Sequence, residues 1–352
     1  MKMNRILKQL ACLLLLYLHS PLFSHAEDQP VFTLQSTLKF KYHVSDIDFS
    51  PDGKTIAIGG FLDQIDELNE TILSDGEIVF IETQSLKTKS TLKVPLSAPI
   101  SLSFSPDQKL LAVGREYSDV VIYDFETHKY KQPIKGLDAL VTFFPDSQKL
   151  IISDTYHQVS IWNNRKIIAK KTLDHDFDWG YCPIAISPDG KTIAIVRADY
   201  DRKPVYEIYI CDSNTLETKA TLKTNAKPVI DLRFSPTGDQ LITGGADGIK
   251  VWDLKSMKEI KSLFVFKNKK MNYISTIKIS STGNLLAASS FEGTTIWNID
   301  TFQLITTLPK SGPFVEFSPD AKTLLSTTKS DGATGGYNKI QVWKINNSRS
   351  NK

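Results

Sequence analysis

Apolar and polar positions along the chain repeat in seven copies of one pattern. In each copy a short alternating run leads into a tight turn, and a run rich in β-branched residues follows, which predicts paired β-strands. The turns with their leading residues are 49–54, 104–107, 143–146, 186–191, 234–238, 279–283 and 317–320. Pro51 and Pro319 are 268 residues apart, a mean of about 45 over six intervals, and four-stranded propeller blades have this period.

The residues of the turn have a physical reason, which the first copy shows best. Pro51 fixes φ at the first central position of a type I turn, and Asp52 can bond its own backbone nearby. Gly53 supplies the positive φ that closes a short hairpin loop. Each copy therefore predicts two antiparallel strands joined by a tight turn.

A second recurring feature lies about 30 residues after each turn, at the end of a β-rich run. A bulky residue at one strand position of every repeat is what packing between neighbouring blades needs. A tryptophan platform for carbohydrate is the alternative, but recurrence at the same strand position favours a structural core. The predicted core column is Ile81, Tyr123, Trp162, Cys211, Trp252, Trp297 and Trp343.

The two ends of the repeat region predict how the ring closes. Repeats end in a further strand, such as residues 219–222 and 305–308, but the last copy stops near Ile345 without one. Residues 32–38 match the missing strand, and a first strand that completes the last blade leaves no free edge. We predict an all-β fold: a seven-bladed β-propeller of four-stranded antiparallel blades, closed by the N-terminal strand.

These repeats resemble the WD40-repeat β-propeller family over residues 31–345. The resemblance is divergent, because only Trp252-Asp253 spells the family's dipeptide and the Gly-His pair that usually precedes a blade is absent. The buried His–Ser/Thr–Trp–Asp hydrogen-bond network of typical members is therefore not expected. The resemblance implies a scaffold that binds protein partners, which is an analogy from the fold.

The first 26 residues predict an export signal. Lys2, Arg5 and Lys8 precede a short apolar run at 10–18, and small residues at Ser24 and Ala26 mark a cleavage site before Glu27. We expect a bacterial-type protein, exported to the periplasm or secreted, with an uncleaved anchor as the alternative. The predicted organisation is a signal peptide at 1–26, one propeller at 27–346 and a short disordered tail at 347–352.

The charge balance favours no polyanionic partner. The chain has 42 Lys and Arg against 39 Asp and Glu, and residues 1–26 hold three of the basic residues and no acidic ones, so the exported chain balances at 39 against 39. Nothing in this balance points to nucleic acid or to an anionic membrane. We expect no stable membrane insertion after cleavage, and a monomer or a member of a hetero-complex.

Sequence motifs for disulfides, metal binding or catalysis are weak. Cys182 is expected to begin the first strand of the fourth blade and Cys211 to end its third strand. The two residues then lie two strand spacings apart and at opposite ends of that blade, so no disulfide is expected. Residues 174–180 resemble a calcium loop but lack its glutamate, with Ala185 at the twelfth position, and an exposed inter-blade loop is the simpler interpretation. No nucleophile elbow, zinc-ligand pair or phosphate loop occurs. We predict no metal, cofactor or catalytic residue, although propeller enzymes can build sites from distant loops.

Loop length favours one face of the propeller as the binding site. Turns from the second to the third strand and connections between blades share a face, here called the looped face, and the long segments all fall there: residues 61–76, 174–180, 198–204, 265–273 and 329–338. Loops on a rigid scaffold carry binding, and Arg115 and Arg197 also suit an anionic group. The predicted binding residues are Phe61, Arg115, Trp179, Tyr181, Arg197, Tyr200, Arg202, Tyr273 and Tyr337.

The residues just before the turn-leading aromatics predict the channel wall. Strand alternation points them away from the packed side, and in blades five, six, seven and one they are Arg233, Lys278, Glu316 and Asp48. We interpret them as the mutually neutralising wall of a water-filled channel rather than as a catalytic cluster.

Together these features predict an exported interaction module that binds a protein or peptide on the looped face. The alternatives are an extracytoplasmic propeller enzyme, such as a lactonase-like hydrolase, and a small-ligand sensor. Both would use residues at the mouth of the channel.

Overall fold

The seven repeats fold into seven four-stranded antiparallel sheets, in the order predicted from the sequence. The structure is a computed structural model, which describes residues 29–65, 71–95, 97–116, 118–131, 133–135, 139–164, 166–173, 182–199, 205–224, 227–263, 273–328 and 336–346. The predicted signal peptide and C-terminal tail lie outside the described residues. Within those ranges, no helix has the length and hydrophobicity needed to cross a membrane.

The first four blades follow one another along the chain. Blade one contains β2 (His43–Phe49), β3 (Thr55–Ile65), β4 (Thr71–Glu82) and β5 (Thr88–Val94). Blade two contains β6 (Pro99–Phe104), β7 (Leu110–Arg115), β8 (Val121–Asp124) and β9 (Lys129–Tyr130). Blade three contains β10 (Leu140–Phe143), β11 (Lys149–Ser153), β12 (Gln158–Asn163) and β13 (Lys166–Thr172). Blade four contains β14 (Ile184–Ile186), β15 (Thr192–Asp199), β16 (Val205–Asp212) and β17 (Thr218–Lys223).

The last three blades include the closure of the ring. Blade five contains β18 (Val229–Phe234), β19 (Gln240–Gly245), β20 (Gly248–Asp253) and β21 (Lys258–Leu263). Blade six contains β22 (Thr276–Ile279), β23 (Leu285–Ser290), β24 (Gly293–Asn298) and β25 (Leu304–Pro309). Blade seven contains β26 (Ser311–Phe317), β27 (Thr323–Thr328), β28 (Lys339–Asn346) and, as its outer strand, β1 (Val31–Lys39). The predicted closure by the N-terminal strand is confirmed.

The tight turns depend on a serine that the sequence pattern does not single out. In blade one, Ser50 Oγ accepts a hydrogen bond from Thr55 N at 2.9 Å and donates one to Asp52 Oδ1 at 2.7 Å. Gly53 takes the positive φ that the turn predicts. The serine hydroxyl accepts from the same backbone position at Ser105, Ser187, Ser235, Ser280 and Ser318. The turn is therefore held by a buried side-chain hydrogen bond as well as by backbone geometry.

Apolar side chains collect between blades rather than within them. Seven buried clusters each combine residues of two consecutive blades, including one between blades seven and one. The residues of the predicted core column lie in or against these clusters, and among them Trp162 is half-buried while the others are buried. Cys182 and Cys211 are both free and buried in the cluster between blades three and four.

Removal of one turn hydroxyl tests this account of the blades. We expect Ser50→Ala to lower the free energy of unfolding by about 1–3 kcal/mol, because the partly buried Thr55 N–H loses its side-chain acceptor. Ser85→Ala is the matched control, since the Ser85 hydroxyl bonds Glu82 in an exposed turn, and we expect it to cost less than about 0.5 kcal/mol. Equal losses in urea unfolding would contradict the structural role of Ser50.

Candidate functional site

The central channel widens into a cavity of about 740 Å³. Every blade contributes one residue to its wall from the same strand position, two residues before the column predicted from the sequence: Asp46, Ser101, Leu140, Pro183, Asp231, Thr276 and Phe314. Phe61 and Tyr337 of the looped face also line the cavity. The structure thus brings together two sets of residues that the sequence analysis treated as separate sites.

Two of the four predicted channel residues, Asp48 and Glu316, do not contribute to the cavity lining. Arg233 and Lys278 line the cavity itself, and Lys278 forms an ion pair with the partly buried Glu316 of the next blade. Arg233 departs from the expected alternation of charges around the ring. Its guanidinium contacts Asp231 Oδ1 at 2.7 Å, because residues two apart on a strand point to the same side.

Two carboxylates of blade one cap backbone donors of blade two. Asp46 Oδ2 accepts a hydrogen bond from Leu102 N at 2.7 Å, and Asp48 Oδ2 accepts one from Phe104 N at 2.8 Å. The innermost strand of each blade is a sheet edge, whose N–H groups facing the channel need acceptors. Equivalent contacts between other blades join Ser101 to Val141, Ser103 to Phe143 and Asp231 to Ile277.

Burial changes the acidity of these groups. It raises the pKa of Asp48 to about 8, and the neighbouring Glu316 carboxylate adds to the rise. Burial likewise raises the pKa of Asp46 to about 6, against the lowering effects of Lys278 and of two backbone donors. Burial alone would lower the pKa of Lys278, but the Glu316 carboxylate offsets this and the pKa is raised. The charged wall is therefore electrostatically coupled across blades six, seven and one.

The opposite wall of the cavity is apolar. Blades three and four contribute Leu140, Val141, Ile151, Pro183 and Ile184 to the lining. Charged side chains of blades one, five and six face them across the channel. A ligand that fits both walls has an apolar body and a polar end.

At the mouth of the cavity, four side chains form a continuous surface that we call the aromatic rim: Phe61, His43, Tyr337 and Phe291. The rings of Phe61 and His43 are 6.0 Å apart, and those of Tyr337 and Phe291 are 6.2 Å apart. Gly336, which precedes Tyr337 in the chain, packs directly against the His43 ring, since a Cβ at that residue would lie 1.6 Å from His43 Nδ1. This contact joins the two pairs. The rim therefore spans blades one, seven and six.

The sequence analysis missed two members of the rim, His43 and Phe291. Phe291 is 56% exposed and lies between β23 and β24, where the chain carries no insertion. Loop length, the feature used to find the looped face, does not identify binding residues that lie in a short turn. An exposed phenylalanine in a two-residue turn is the signal that would have found it.

Three of the remaining predicted binding residues lie away from the cavity. Arg115 Nε donates to Asp119 O at 2.8 Å, Arg197 forms an ion pair with Glu207 at 3.5 Å, and Tyr273 is exposed. These three do not contribute to the cavity lining. The other four lie outside the described residues: Trp179, Tyr181, Tyr200 and Arg202.

The first long segment of the looped face is more regular than expected. Between residues 61 and 76 the strands β3 and β4 continue as a paired hairpin as far as Ile65 and Thr71. The described part of the excursion, residues 61–65 and 71–76, is therefore a paired β-ribbon rather than an irregular loop. The other four long segments lie wholly or largely outside the described residues.

In the described part of the chain, no group of three or more His, Cys, Asp or Glu side chains is arranged to hold a metal ion.

Comparison with known proteins bears on the repeats directly. The family model of the WD domain, G-beta repeat, matches residues 31–64 and 216–253. The Arabidopsis thaliana transcriptional corepressor LEUNIG_HOMOLOG is 26% identical over 74% of this chain and 31% of its own length. The chain is a WD40-repeat protein.

Two further relatives of this WD40-repeat protein are more distant. The U3 small nucleolar RNA-associated protein 15 homolog of Gallus gallus is 21% identical over 59% of the chain and 38% of its own length. Periodic tryptophan protein 2 of Arabidopsis thaliana is 22% identical over 54% of the chain and 21% of its own length. The chain thus spans between about a fifth and two fifths of the length of these relatives.

Part of the hydrogen-bond network of typical WD40 repeats is present, contrary to expectation. Trp252 Nε1 donates to Thr243 Oγ1 at 3.1 Å, and Trp343 Nε1 donates to Ser326 Oγ at 3.0 Å, in each case on the adjacent strand. The indoles of Trp162 and Trp297 instead use a hydroxyl two residues earlier on their own strand. A nearby hydroxyl therefore accepts the indole N–H of each of these tryptophans, without the histidine of the typical network.

The raised pKa of Asp48 predicts a pH dependence of stability for this WD40 propeller. The folded protein holds a proton that an unfolded aspartate, with a pKa of about 3.9, releases. Stability from this group is therefore greatest at low pH and falls as the pH rises from about 4 to about 8, by about 1.4 kcal/mol for each unit of the shift.

Asp48→Asn isolates this contribution, because the amide oxygen can still accept the Phe104 N–H bond but cannot titrate. We expect the wild type to lose stability relative to Asp48→Asn between pH 5 and about 8, measured by urea unfolding. Asp107→Asn is the control, since Asp107 lies in an exposed turn and its pKa is lowered. A constant difference between wild type and Asp48→Asn across this range would show that Asp48 is ionised throughout.

Proposed function

We propose that this WD40 propeller is an interaction module that binds a protein or peptide partner through the aromatic rim of the looped face. The observation that carries the proposal is the continuity of the rim, which joins partly or fully exposed rings of three blades at the mouth of a cavity. Buried tyrosine, tryptophan and phenylalanine anchors dominate the binding energy of protein interfaces. An aromatic surface along one part of the mouth of a cavity suits a projecting segment of a partner.

Local packing holds the rim in place. The Tyr337 ring lies against Gly312, where a Cβ would come within 2.4 Å of it, and His43 lies against Gly336. Backbone of blades one and seven is also joined by the hydrogen bond from Val44 N to Tyr337 O at 2.8 Å. A surface that is ordered before binding loses less conformational entropy on association.

The named relatives agree with a role in association. One is called a transcriptional corepressor and another an RNA-associated protein. By likeness of fold we infer that this chain also acts through a partner, whose identity its own rim selects.

A double substitution tests the rim. We expect Phe291→Ala with Tyr337→Ala to weaken partner capture at least tenfold, because two anchors of about 1–2 kcal/mol each are lost. Capture is measured by crosslinking and pull-down from the cells that produce the protein, with quantitative mass spectrometry. Tyr156→Ala is the control, because Tyr156 is 59% exposed in the corresponding turn of blade three, outside the rim. An unchanged set of partners for the double variant, with an unchanged melting temperature, would overturn the proposal.

We also propose that the protein works outside the cytoplasm. The basic start, apolar run and small residues of the first 26 positions support export. We expect the protein recovered from the periplasm or medium to begin at Glu27, as read by N-terminal sequencing. Leu14→Arg should retain the full-length precursor in the cell, because a charge interrupts the apolar run. Normal export of the Leu14→Arg variant would contradict a signal peptide.

A further inference from the structure

The cavity in the channel has the size and the two-sided lining of a small-ligand site. Its volume of about 740 Å³ lies within the range of pockets that enclose small organic molecules, about 300–1,000 Å³. Leu140, Pro183 and Ile184 form an apolar wall, and Asp46, with other charged groups, forms the facing wall. The sign of the charge on that wall decides which ligand fits.

Carboxyl groups outnumber ammonium groups on the coupled part of the wall. Asp46, Asp48 and Glu316 interact there with a single ammonium group, that of Lys278. Arg233 does not change this balance, because it is paired with Asp231. The raised pKa values of Asp46 and Asp48 are the response expected of carboxyl groups that lack a counter-charge.

An anion fits this wall poorly. To reach Lys278 or Arg233 it would have to displace the carboxylate that each already contacts, Glu316 or Asp231. Among the described residues a cation meets no such competition at Asp46, because Oδ1 accepts from Ile47 N at 2.8 Å and Oδ2 accepts from Leu102 N at 2.7 Å. Electrostatic complementarity therefore favours a positively charged ligand.

Two further observations point to a ligand with a hydrogen-bonding cationic end. Ser275 Oγ, in the part of the chain that the structure describes, is buried without a hydrogen-bond partner, and Ser275 lines the cavity. Phe314 lines the same cavity. Aromatic faces attract ammonium groups, and a buried hydroxyl that lacks a partner gains from a polar ligand.

We propose that the channel cavity binds a primary ammonium group carried on an unbranched apolar chain, with the ammonium at Asp46 and the chain against the wall of blades three and four. A free alkylamine and the lysine side chain of a partner share this chemistry. The inference goes beyond the aromatic rim and does not depend on it, because it rests on residues inside the channel.

Calorimetric titration of the full chain tests the charge preference. We expect n-hexylamine to bind at least tenfold more tightly than n-hexanol, and hexanoate to bind no better than n-hexanol. Asp46→Asn should weaken n-hexylamine at least tenfold and leave n-hexanol unchanged. Ser103→Ala is the control, because it removes an equivalent cap between blades without removing a charge, and should bind n-hexylamine as the wild type does.

Several outcomes would overturn the proposal. These are preferential binding of hexanoate, equal binding of n-hexylamine and n-hexanol, and equal losses in Asp46→Asn and Ser103→Ala. None of them bears on partner capture by Phe291 and Tyr337, so failure here is distinguishable from failure of the rim. If Asp46→Asn does not fold, Glu316→Gln provides the second variant, since it removes one carboxylate of the same wall and should also weaken n-hexylamine at least tenfold.

The pH dependence gives an independent readout. Ionisation of Asp48 adds negative charge to the wall, so n-hexylamine should bind more tightly as the pH rises through about 8, and Asp48→Asn should flatten this dependence. Besides Asp48, the charged or titratable groups at or next to the site in the described part of the chain are Asp46, Asp231, Arg233, Lys278, Glu316 and, at the mouth, His43 and Tyr337. Binding of n-hexylamine that weakens over this range would contradict the proposal.

The source of the ammonium group is settled by a third comparison. Nα-acetyl-lysine methylamide and its norleucine analogue differ only in the amine. Tighter binding of the lysine compound than of n-hexylamine indicates a partner's side chain, and the reverse indicates a free amine; either supports the site. Equal binding of the lysine and norleucine compounds, together with no binding of n-hexylamine, would overturn it.

Discussion

The structure depends on apolar packing between neighbouring blades. Each buried cluster joins residues of two consecutive blades, so a single blade would expose one face of its sheet to water. The hydrophobic free energy of every blade is therefore obtained only when its neighbours are present. Closure follows from the same requirement, because blade seven packs on blade one and takes its outer strand from the start of the repeat region.

Closure of the ring leaves a second requirement, at its centre. The innermost strands are unpaired edges, and some of their N–H groups are capped by side chains of the preceding blade. Where the cap is a serine, the channel stays neutral. Where it is Asp46 or Asp48, the contact that joins two blades also brings a carboxyl group close to Glu316. Structural capping and the unbalanced charge of the cavity thus have the same origin.

The two faces of the ring differ for a related reason. On one face, the serine-centred turns are short and buried hydrogen bonds hold them, which leaves little freedom for insertion. The looped face carries the extended hairpin of blade one and the aromatic rim. Because the cavity lies beneath this rim, a partner at the mouth and a ligand in the channel would be neighbours, and each would alter the electrostatic surroundings of the other.

The sequence by itself determined the number of blades, their turns, the core column and the closing strand. These are properties of local patterns that recur, and each copy of the repeat supports the others. It also predicted a channel wall from strand alternation, which is a local rule, and of the four residues named Arg233 and Lys278 line the cavity. The same rule could also have identified the ring of cavity residues from Asp46 to Phe314, which lie two residues earlier than the predicted column in each blade.

Only the tertiary structure decided which distant groups meet. Phe61 and Tyr337 come from opposite ends of the chain and join Phe291 at one rim because the ring places blades one, seven and six side by side. The pairing of Arg233 with Asp231 and the capping of Leu102 by Asp46 depend on side-chain direction and on the spacing between blades. Local periodicity predicts elements, whereas contacts between elements are set by how the closed ring packs.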